Sequence, residues 1–469
     1  MSLRVAELFA GVGGFRIGLE GPPGDTLSED FRVVYANQFE PKYKTQHAAD
    51  TYIQRWNLSQ SVDDPNIYLN PLNPDEYLEV RDIELVDKKK IPDHDVLVAG
   101  YPCQDYSVAQ GNRGKGIEGK KGVLWWQLAE VVEKKKPRYL ILENVDRLIT
   151  SPVEQRGRDM AIMLAHLDAL GYAVEWRIIT ASDYGFSQKR KRVFLIGFRK
   201  GTPQYKQLAR KNFDAKSWIE NDGIISTAFP INTIGDISPI TLNEWKNDLS
   251  MLSDKFNKER GDDAPSPFMN AGVMVKNRYW TVKTTSNYQG KLKNLRSVLL
   301  SPSKIPSEYI LDVADVTKEK GWLYMKGAKK AKRIDPEGFE YTYDEGAMYF
   351  PDRLTNPSRT IVTGEGTASP SRNKHVVKFR ATKKQRADLD LDSQQHQDVR
   401  NQLQLKPTEW LRRLTPIELE RLNGFPDNHT EGHIPSKRAF LMGNALVAGV
   451  VKRIGMALTR LNLRDLRKV

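Results

Sequence analysis

The sequence predicts an α/β fold: a mainly parallel sheet with helices on its faces, joined to a smaller, irregular domain. Three observations lead there. Through the first third of the 469 residues, short apolar runs alternate with amphipathic stretches, the pattern of strands connected by crossover helices. A glycine-rich turn directly follows the first run, at the edge where such sheets bind ligands. After about Lys200 the alternation stops, and basic residues, aromatics, Gly and Pro mix without a clean period as far as about Lys406.

Leu3 to Ala10 reads as a buried strand and Phe31 to Ala36 as a second; Val96 to Ala99 is a short third run behind Asp95. Leu124, Leu128, Val131 and Val132 share a helical face. That helix ends in Lys134, Lys135 and Lys136, which suit its negative C-terminus, and Pro137 stops it. Tyr139 to Leu142 starts another strand. Met160, Met163, Leu164 and Leu167 mark a helix with Gly171 as its C-terminal cap, and Val174 to Thr180 and Val193 to Phe198 follow as strands. Trp56 to Pro74, rich in Asn, Asp and Pro, reads as a surface insertion. Ala381 to Leu405, rich in Gln and Asp, reads as an exposed connector. Val447, Val450, Val451, Ile454, Leu458 and Leu461 return to helical spacing, which suits a helix folding back on the first lobe. The expected division is 1–200, 201–428 and 429–469.

Hydrophobic residues make up 39% of the chain and the formal net charge is +13, a balance that favours an anionic partner such as nucleic acid. The single cysteine, Cys103, excludes an intrachain disulfide framework and a multi-cysteine zinc site. Seven scattered histidines form no metal-binding pattern, so no metal is expected. The N-terminus shows no signal segment, and no apolar run approaches the roughly 20 residues that span a bilayer. The expected location is a reducing cytoplasm, with the nucleoid.

The first strand runs into Phe9-Ala-Gly11-Val-Gly13-Gly14. Glycines there let the backbone approach a ligand closely. Arg16 stands where a GxGxxG motif has its last glycine, which disfavours a dinucleotide. Gln38, Phe39 and Glu40 follow the second strand, where ribose hydroxyls are commonly bound; Asp82 and Ile83 lie near a further strand end. Gly100-Tyr-Pro102-Cys103-Gln104 follows the third run, setting the only thiol on a loop where it can act as a nucleophile; the competing reading is a small buried residue. Glu143-Asn144-Val145 ends another strand, and Gln188-Lys189-Arg190-Lys191-Arg192 precedes one, with Arg190 and Arg192 on one side if extended.

Together these pieces resemble the DNA cytosine-5 methyltransferase family. The matches are FxGxGG at Phe9 to Gly14, PCQ at Pro102 to Gln104, ENV at Glu143 to Val145 and QxRxR at Gln188 to Arg192. Arg413-Leu-Thr-Pro-Ile-Glu418 with Gly424-Phe-Pro426, and Gly443-Asn444-Ala-Leu-Val447, follow in the family's order. The matches cover the first 200 residues and the last 60 or so; the stretch between corresponds to the family's variable target-recognition region.

The resemblance implies a Rossmann-like, S-adenosylmethionine-dependent methyltransferase domain of the bacterial restriction-modification type, with a target-recognition domain that docks on duplex DNA. It implies that the Cys103 thiolate attacks carbon 6 of a flipped-out cytosine. Glu143 would act at ring nitrogen 3, Arg192 at the carbonyl oxygen, and Arg190 on the intermediate or nearby backbone. Phe9, Gly11, Gly13, Gly14, Phe39, Asp82, Ile83, Pro102 and Asn444 would surround the cofactor. The family usually has Glu where this chain has Gln38, so Gln38 or Glu40 could take the ribose. Gln104, Arg113, Lys115, Lys120 and Lys121 on the loop after Cys103, and Arg353, Thr363, Arg372 and Lys374 in the variable region, are the expected DNA contacts. The remaining expectations are a monomer, no membrane, and a cognate restriction endonuclease as companion. Rival readings are a transfer-RNA methyltransferase, a binding protein without catalysis and a nucleotide-dependent oxidoreductase.

Overall fold

The computed structural model describes residues 2–25, 28–101, 123–152, 155–237, 239–241, 249–256, 264–334 and 338–466. They divide into two compact units. The first holds Met1–Gly185, Lys191–Lys291 and Leu446–Val469; the second holds Phe186–Arg190 and Leu292–Ala445.

The first unit is built on one sheet. Its centre comprises β1 (Leu3–Leu8), β2 (Phe31–Asn37), β5 (Asn73–Glu79), β6 (Val96–Gly100) and β7 (Tyr139–Val145), which pair in parallel in the order β7-β6-β1-β2-β5. The strands β3 (Ser59–Gln60) and β4 (Ile67–Asn70) extend the β5 edge antiparallel. The segment expected to be an insertion is therefore part of the sheet. Its strands β3 and β4 are short, exposed in β3 and half-buried in β4, with Pro65 and Pro71 beside β4, which is how a sheet edge is blunted and why it reads as loop. On the other side β9 (Lys191–Arg199) pairs antiparallel with both β7 and β8 (Tyr172–Thr180).

The antiparallel run continues through β12 (Ala271–Val275), β13 (Arg278–Ser286) and β10 (Ile231–Ile234), with β11 (Pro239–Thr241) also paired to β13. The boundary expected at residue 200 thus does not coincide with the observed division, because Ala271–Val275, buried at every position, hydrogen-bonds to β8. In the C-terminal stretch the observed break lies at Ala445/Leu446, not at 429.

Pleating sends alternate side chains to opposite faces. Ala6 and Leu8 of β1 and Leu140 and Leu142 of β7 join a core with Leu128, Val131 and Val132 of α3 (Val123–Lys135). Met160, Met163, Leu164 and Leu167 of α4 (Arg158–Ala169) complete that core. On the opposite face α1 (Gly14–Leu19) packs against the helix Ala448–Leu466, so closely that a Cβ at Gly18 would lie 2.6 Å from Val451 Cβ. The helix α2 (His47–Arg55) supplies Ala49 and Tyr52 to a smaller cluster with Ala36 and Leu78.

The second unit has its own core. Trp322, Val376, Phe379, Trp410 and Leu411 pack with Leu391 and Val399 around the pair β16 (Val376–Arg380) and β17 (Glu409–Arg413). The hairpin β14 (Lys329–Ile334) and β15 (Glu340–Glu345) precedes them. Ala381 to Leu405 is not an open connector. Lys383–Asp388 and Gln394–Gln402 are helices, the first with a Thr382/Gln385 capping box, and Leu391 and Val399 anchor the stretch. With so few apolar positions the helical period was hidden.

Candidate active site

The parallel strands of the first unit end along one edge, and Phe9, Gln38, Asp82 and Glu143 lie at or just beyond those ends. After Leu8 the chain turns through Phe9, Gly11 and Gly13 at φ of +54°, +56° and +82°. The turn is tied to the end of β2. Ala10 N–H donates to the Asn37 carbonyl at 3.0 Å, and Gly11 N–H donates to Gln38 Oε1 at 2.7 Å. The two glycines differ. A Cβ at Gly13 would fall 2.1 Å from Trp56 Cη2, whereas at Gly11 nothing lies within 4 Å. Gly13 is needed for packing, and Gly11 leaves an open cradle. Gly14 starts α1 and is buried. Phe39, next in the chain to Gln38, is 38% exposed, and Phe9 packs on the main core.

Glu40 is engaged elsewhere: its Oε2 accepts from Ala48 N–H at 2.8 Å, in the first turn of α2. Asp82 caps the short turn Ile83–Leu85, accepting from Glu84 N–H at 3.1 Å, and Ile83 is a core residue. The chain reaches Asp82 after leaving β5 at Glu79, and Asn37 Nδ2 fixes that exit by donating to the Glu79 and Arg81 carbonyls.

Beneath the turn lies a network that sequence reasoning missed. Arg16, read only as a departure from GxGxxG, is buried. It pairs with Glu20 at 2.8 Å and with Glu76, and its guanidinium sits 4.7 Å from the Trp56 ring centroid. Glu7, on the same face of β1, is fully buried and accepts from Tyr52 Oη at 3.2 Å. Burial pushes its carboxyl up to about 8, against the lowering influence of Arg16 and the Tyr52 hydrogen bond.

At the neighbouring strand ends Gly100 and Glu143 are register partners. A Cβ at Gly100 would lie 3.2 Å from Glu143 Oε2, so the carboxylate lies close over the end of β6. Glu143 Oε1 is 2.9 Å from Arg192 Nε, with side chains 12% and 19% exposed. The antiparallel β7–β9 register, which pairs Val145 with Arg192, delivers that contact. Asn144 Nδ2 donates to the Tyr101 carbonyl at 3.1 Å, while Tyr101 is buried with its hydroxyl 3.2 Å from Met163 Sδ. The chain is thus pinned immediately before Pro102. Pro102, Cys103, Gln104, Arg113, Lys115, Lys120 and Lys121 lie outside the described residues.

In the second unit, Gln188 is completely buried. It accepts from Ile361 N–H at 3.1 Å and donates to Asn423 Oδ1 at 2.9 Å. Arg190 Nη2 donates to the Gly443 carbonyl at 3.1 Å, a backbone contact within the late GN motif. Asn444 ends the helix Pro435–Asn444 and is exposed.

The four expected DNA contacts of the variable region separate into two pairs. Arg353 and Thr363 are exposed, and the Arg353 guanidinium stacks 3.6 Å from the Tyr349 ring centroid. Arg372 instead pairs with Glu345 at 2.7 Å and donates to the Gly327 carbonyl. Lys374 is buried and its ammonium donates to Thr367 and to Ser369, including the Ser369 carbonyl at 2.7 Å. Their charges are committed to internal partners. Among the described residues, no group of three His, Cys, Asp or Glu side chains could hold a metal ion.

Comparison with known proteins bears on this arrangement. Residues 3–460 match the family model described as C-5 cytosine-specific DNA methylase. The type II methyltransferase M.Sau3AI of Staphylococcus aureus is 37% identical over 461 residues, 98% of this chain and 96% of that protein. The type II methyltransferase M.HhaI of Haemophilus parahaemolyticus is 32% identical over 197 residues, 42% of this chain and 49% of that one. Among solved structures, a Spodoptera frugiperda DNMT2 variant superposes with a TM-score of 0.54 at 13% identity, covering 98% of this chain and 100% of that one. The Dnmt2 methyltransferase of S. pombe superposes with 0.52 at 15%, covering 98% and 99%. At these identities the structural likeness concerns the fold.

Proposed function

The chain belongs to the C-5 cytosine-specific DNA methylase family, and we propose that it methylates carbon 5 of a flipped-out cytosine in one short duplex sequence through a covalent Cys103 adduct. The observation that carries the reading is the Glu143–Arg192 pair at the strand edge beside Gly100, three residues before Cys103 in the chain.

The residues fit the cofactor on one independent ground: the open space at Gly11, which a Cβ would enter, beside the turn that Gln38 ties down. Phe9, Gly11, Gly13, Gly14, Phe39, Asp82, Ile83, Pro102 and Asn444 would hold S-adenosylmethionine, which supplies an electrophilic methyl group. Of the two candidates for the ribose, Gln38 is favoured, because Glu40 is engaged at the start of α2 while the amide hydrogens of Gln38 are donors.

Carbon 6 of cytosine cannot be reached inside a stacked duplex, so the base must leave the stack at a cost of a few kcal/mol. The Cys103 thiolate forms a bond to carbon 6. The ring electrons displaced by that bond move toward nitrogen 3, where Glu143 supplies or holds a proton. Arg192 has two duties: its Nε holds the Glu143 carboxylate, and the same guanidinium contacts the base carbonyl. Carbon 5 then carries nucleophilic character and would take the methyl group as the bond from that group to the cofactor sulfur breaks, leaving S-adenosylhomocysteine. Loss of the carbon 5 proton and departure of the Cys103 sulfur restore the aromatic ring. Arg190 acts on backbone, at Gly443.

Duplex DNA is the proposed partner, with Gln104, Arg113, Lys115, Lys120, Lys121, Arg353 and Thr363 as contacts. A single chain carries every catalytic motif, which supports a monomer. The near-full-length likeness to a type II methyltransferase supports a restriction-modification role with a cognate endonuclease in a bacterial cytoplasm. The test is labelled S-adenosylmethionine with mixed-sequence duplex DNA and, separately, transfer RNA, followed by mapping of methylcytosine. Methylation of DNA in one short context, lost in Cys103→Ala, supports the reading; methylation of transfer RNA alone overturns it.

A further inference from the structure

The edge hairpin of the first unit carries none of the expected site residues, yet it grips the chain just ahead of Asp82. Residues 61–66 join β3 to β4 in a turn that closes on itself. Ser61 N–H donates to the Ile67 carbonyl at 2.8 Å, and Asp64 Oδ1 accepts from Asn66 N–H at 2.9 Å. The turn then reaches across to the chain leaving β5. Val80 N–H donates to the Asn66 carbonyl at 2.7 Å, and Arg81 Nη2 donates to Asp64 Oδ2. The other arm of the Arg81 guanidinium donates to Glu79 Oε1 at 2.9 Å, and Glu79 Oε2 accepts from the Tyr35 hydroxyl of β2 at 3.1 Å. Residues 79–81 are therefore held from two sides, by Asn37 and Tyr35 of β2 and by Asp64 and Asn66 of the edge turn.

An ion pair on a protein surface ordinarily fixes little, and the Arg81 and Asp64 side chains are 28% and 29% exposed. Two features set this pair apart. Each partner is oriented before they meet, Asp64 by its bond from Asn66 and Arg81 by a second carboxylate, so less side-chain freedom is lost in pairing. The charges also differ in firmness. The Asn66 N–H and then the Arg81 guanidinium hold the Asp64 carboxyl below its ordinary value, whereas burial pushes the Glu79 carboxyl up. Of the two acids that grip Arg81, Asp64 keeps its charge to the lower pH.

The next residue is Asp82. Its Oδ1 accepts from Glu84 N–H, and among the described residues its Oδ2 has no hydrogen-bond partner. That oxygen is the one left to accept from an adenine amine. We propose that Asp64 and Arg81 are positioning residues for the cofactor, a clamp from the sheet-edge turn that sets where the Asp82 carboxylate meets the adenine amine. This rests on the methyltransferase reading and, within it, on the role given to Asp82.

Calorimetric titration of the full chain with two ligands tests the clamp. One is S-adenosylhomocysteine; the other is S-inosylhomocysteine, in which a carbonyl oxygen replaces the adenine amine. A carboxylate and a carbonyl are both acceptors, so the wild type should prefer the adenosyl ligand. Asp64→Asn keeps the oxygen that accepts from Asn66 N–H and removes the charge facing Arg81. It should bind S-adenosylhomocysteine about 3-fold to 10-fold more weakly, the scale of one hydrogen bond, and S-inosylhomocysteine as the wild type does. Asp64→Glu, which keeps the charge, should restore most of the preference. An equal loss for both ligands, or no loss for either, would overturn the positioning role. If Asp64→Asn does not fold, Arg81→Gln is judged by the same two affinities. A wild type that binds neither ligand overturns the methyltransferase reading, and a preference unchanged in Asp82→Asn overturns the role of Asp82; either result takes the clamp with it.

Discussion

Replacing Gly11 with alanine separates ligand binding from folding. At φ +56° an alanine is strained by about 1–2 kcal/mol, and with nothing within 4 Å of its Cβ there is no collision to add. The variant should fold and melt only a few degrees below the wild type. The added methyl group nevertheless occupies the space assigned to the cofactor. At a free concentration 100 times its Kd, S-adenosylhomocysteine stabilises the wild type by about 2.7 kcal/mol, and if affinity falls about 100-fold the same concentration gives only about 0.4 kcal/mol. Thermal melts with and without ligand measure this directly. Gly13→Ala is the contrast, because its Cβ would fall 2.1 Å from Trp56 Cη2 and the apo fold itself should suffer. A Gly11→Ala protein that keeps the full ligand-induced shift would refute the placement of the cofactor over this turn.

Other outcomes follow from the same geometry. Glu7, pushed up to about 8 by burial, has a folded pKa above its ordinary 4.5, so its contribution to stability is complete at low pH and is lost as pH climbs through that window. Glu7→Gln should therefore gain stability over the wild type between about pH 5 and about pH 8 in urea titrations, by up to roughly 1.4 kcal/mol per pH unit; parallel pH profiles would refute it. Glu418 accepts from Arg412, Thr415 N–H and Leu300 N–H with its side chain fully buried, so Glu418→Ala leaves a buried guanidinium unpaired. The expected loss is about 3–5 kcal/mol, and denaturant midpoints check it. Asn144→Ala frees the Tyr101 carbonyl just before Pro102 and should lower single-turnover methyl transfer while cofactor affinity is kept; equal rates would assign Asn144 to packing alone.

The centre of the sheet was legible because its strands are largely buried and read as apolar runs: Val96 to Gly100 and Tyr139 to Leu142 without a break, and Leu3 to Leu8 interrupted by Arg4 and Glu7. The edge strands Ser59–Gln60 and Ile67–Asn70 were not, because they are only two and four residues long and lie among polar residues and prolines. Ala271–Val275 was hidden within a region read as a separate domain, since no sequence pattern says that a late strand returns to an early sheet. At the candidate site, strand ends followed by Gly, Gln, Glu or Asn were legible in the sequence, and Gly100 and Glu143 are register partners on neighbouring strands. What could not be read was the state of each charge. Lys374 and Arg372 look like DNA contacts by composition, yet backbone carbonyls and Glu345 hold them internally. Arg16 looked like a flaw in a glycine motif and is a buried partner of two carboxylates. The signal that could have found it was Glu20, one helical turn on.

The covalent step is the centre of the account, and fluorine at carbon 5 tests it directly. A duplex whose mapped target cytosine carries fluorine there can accept the Cys103 sulfur and the methyl group, but it has no carbon 5 proton to lose, so elimination is blocked. The expected result is a denaturant-stable protein–DNA complex that requires S-adenosylmethionine and is absent in Cys103→Ala. Methylation of the ordinary duplex with no such complex on the fluorinated one would contradict it.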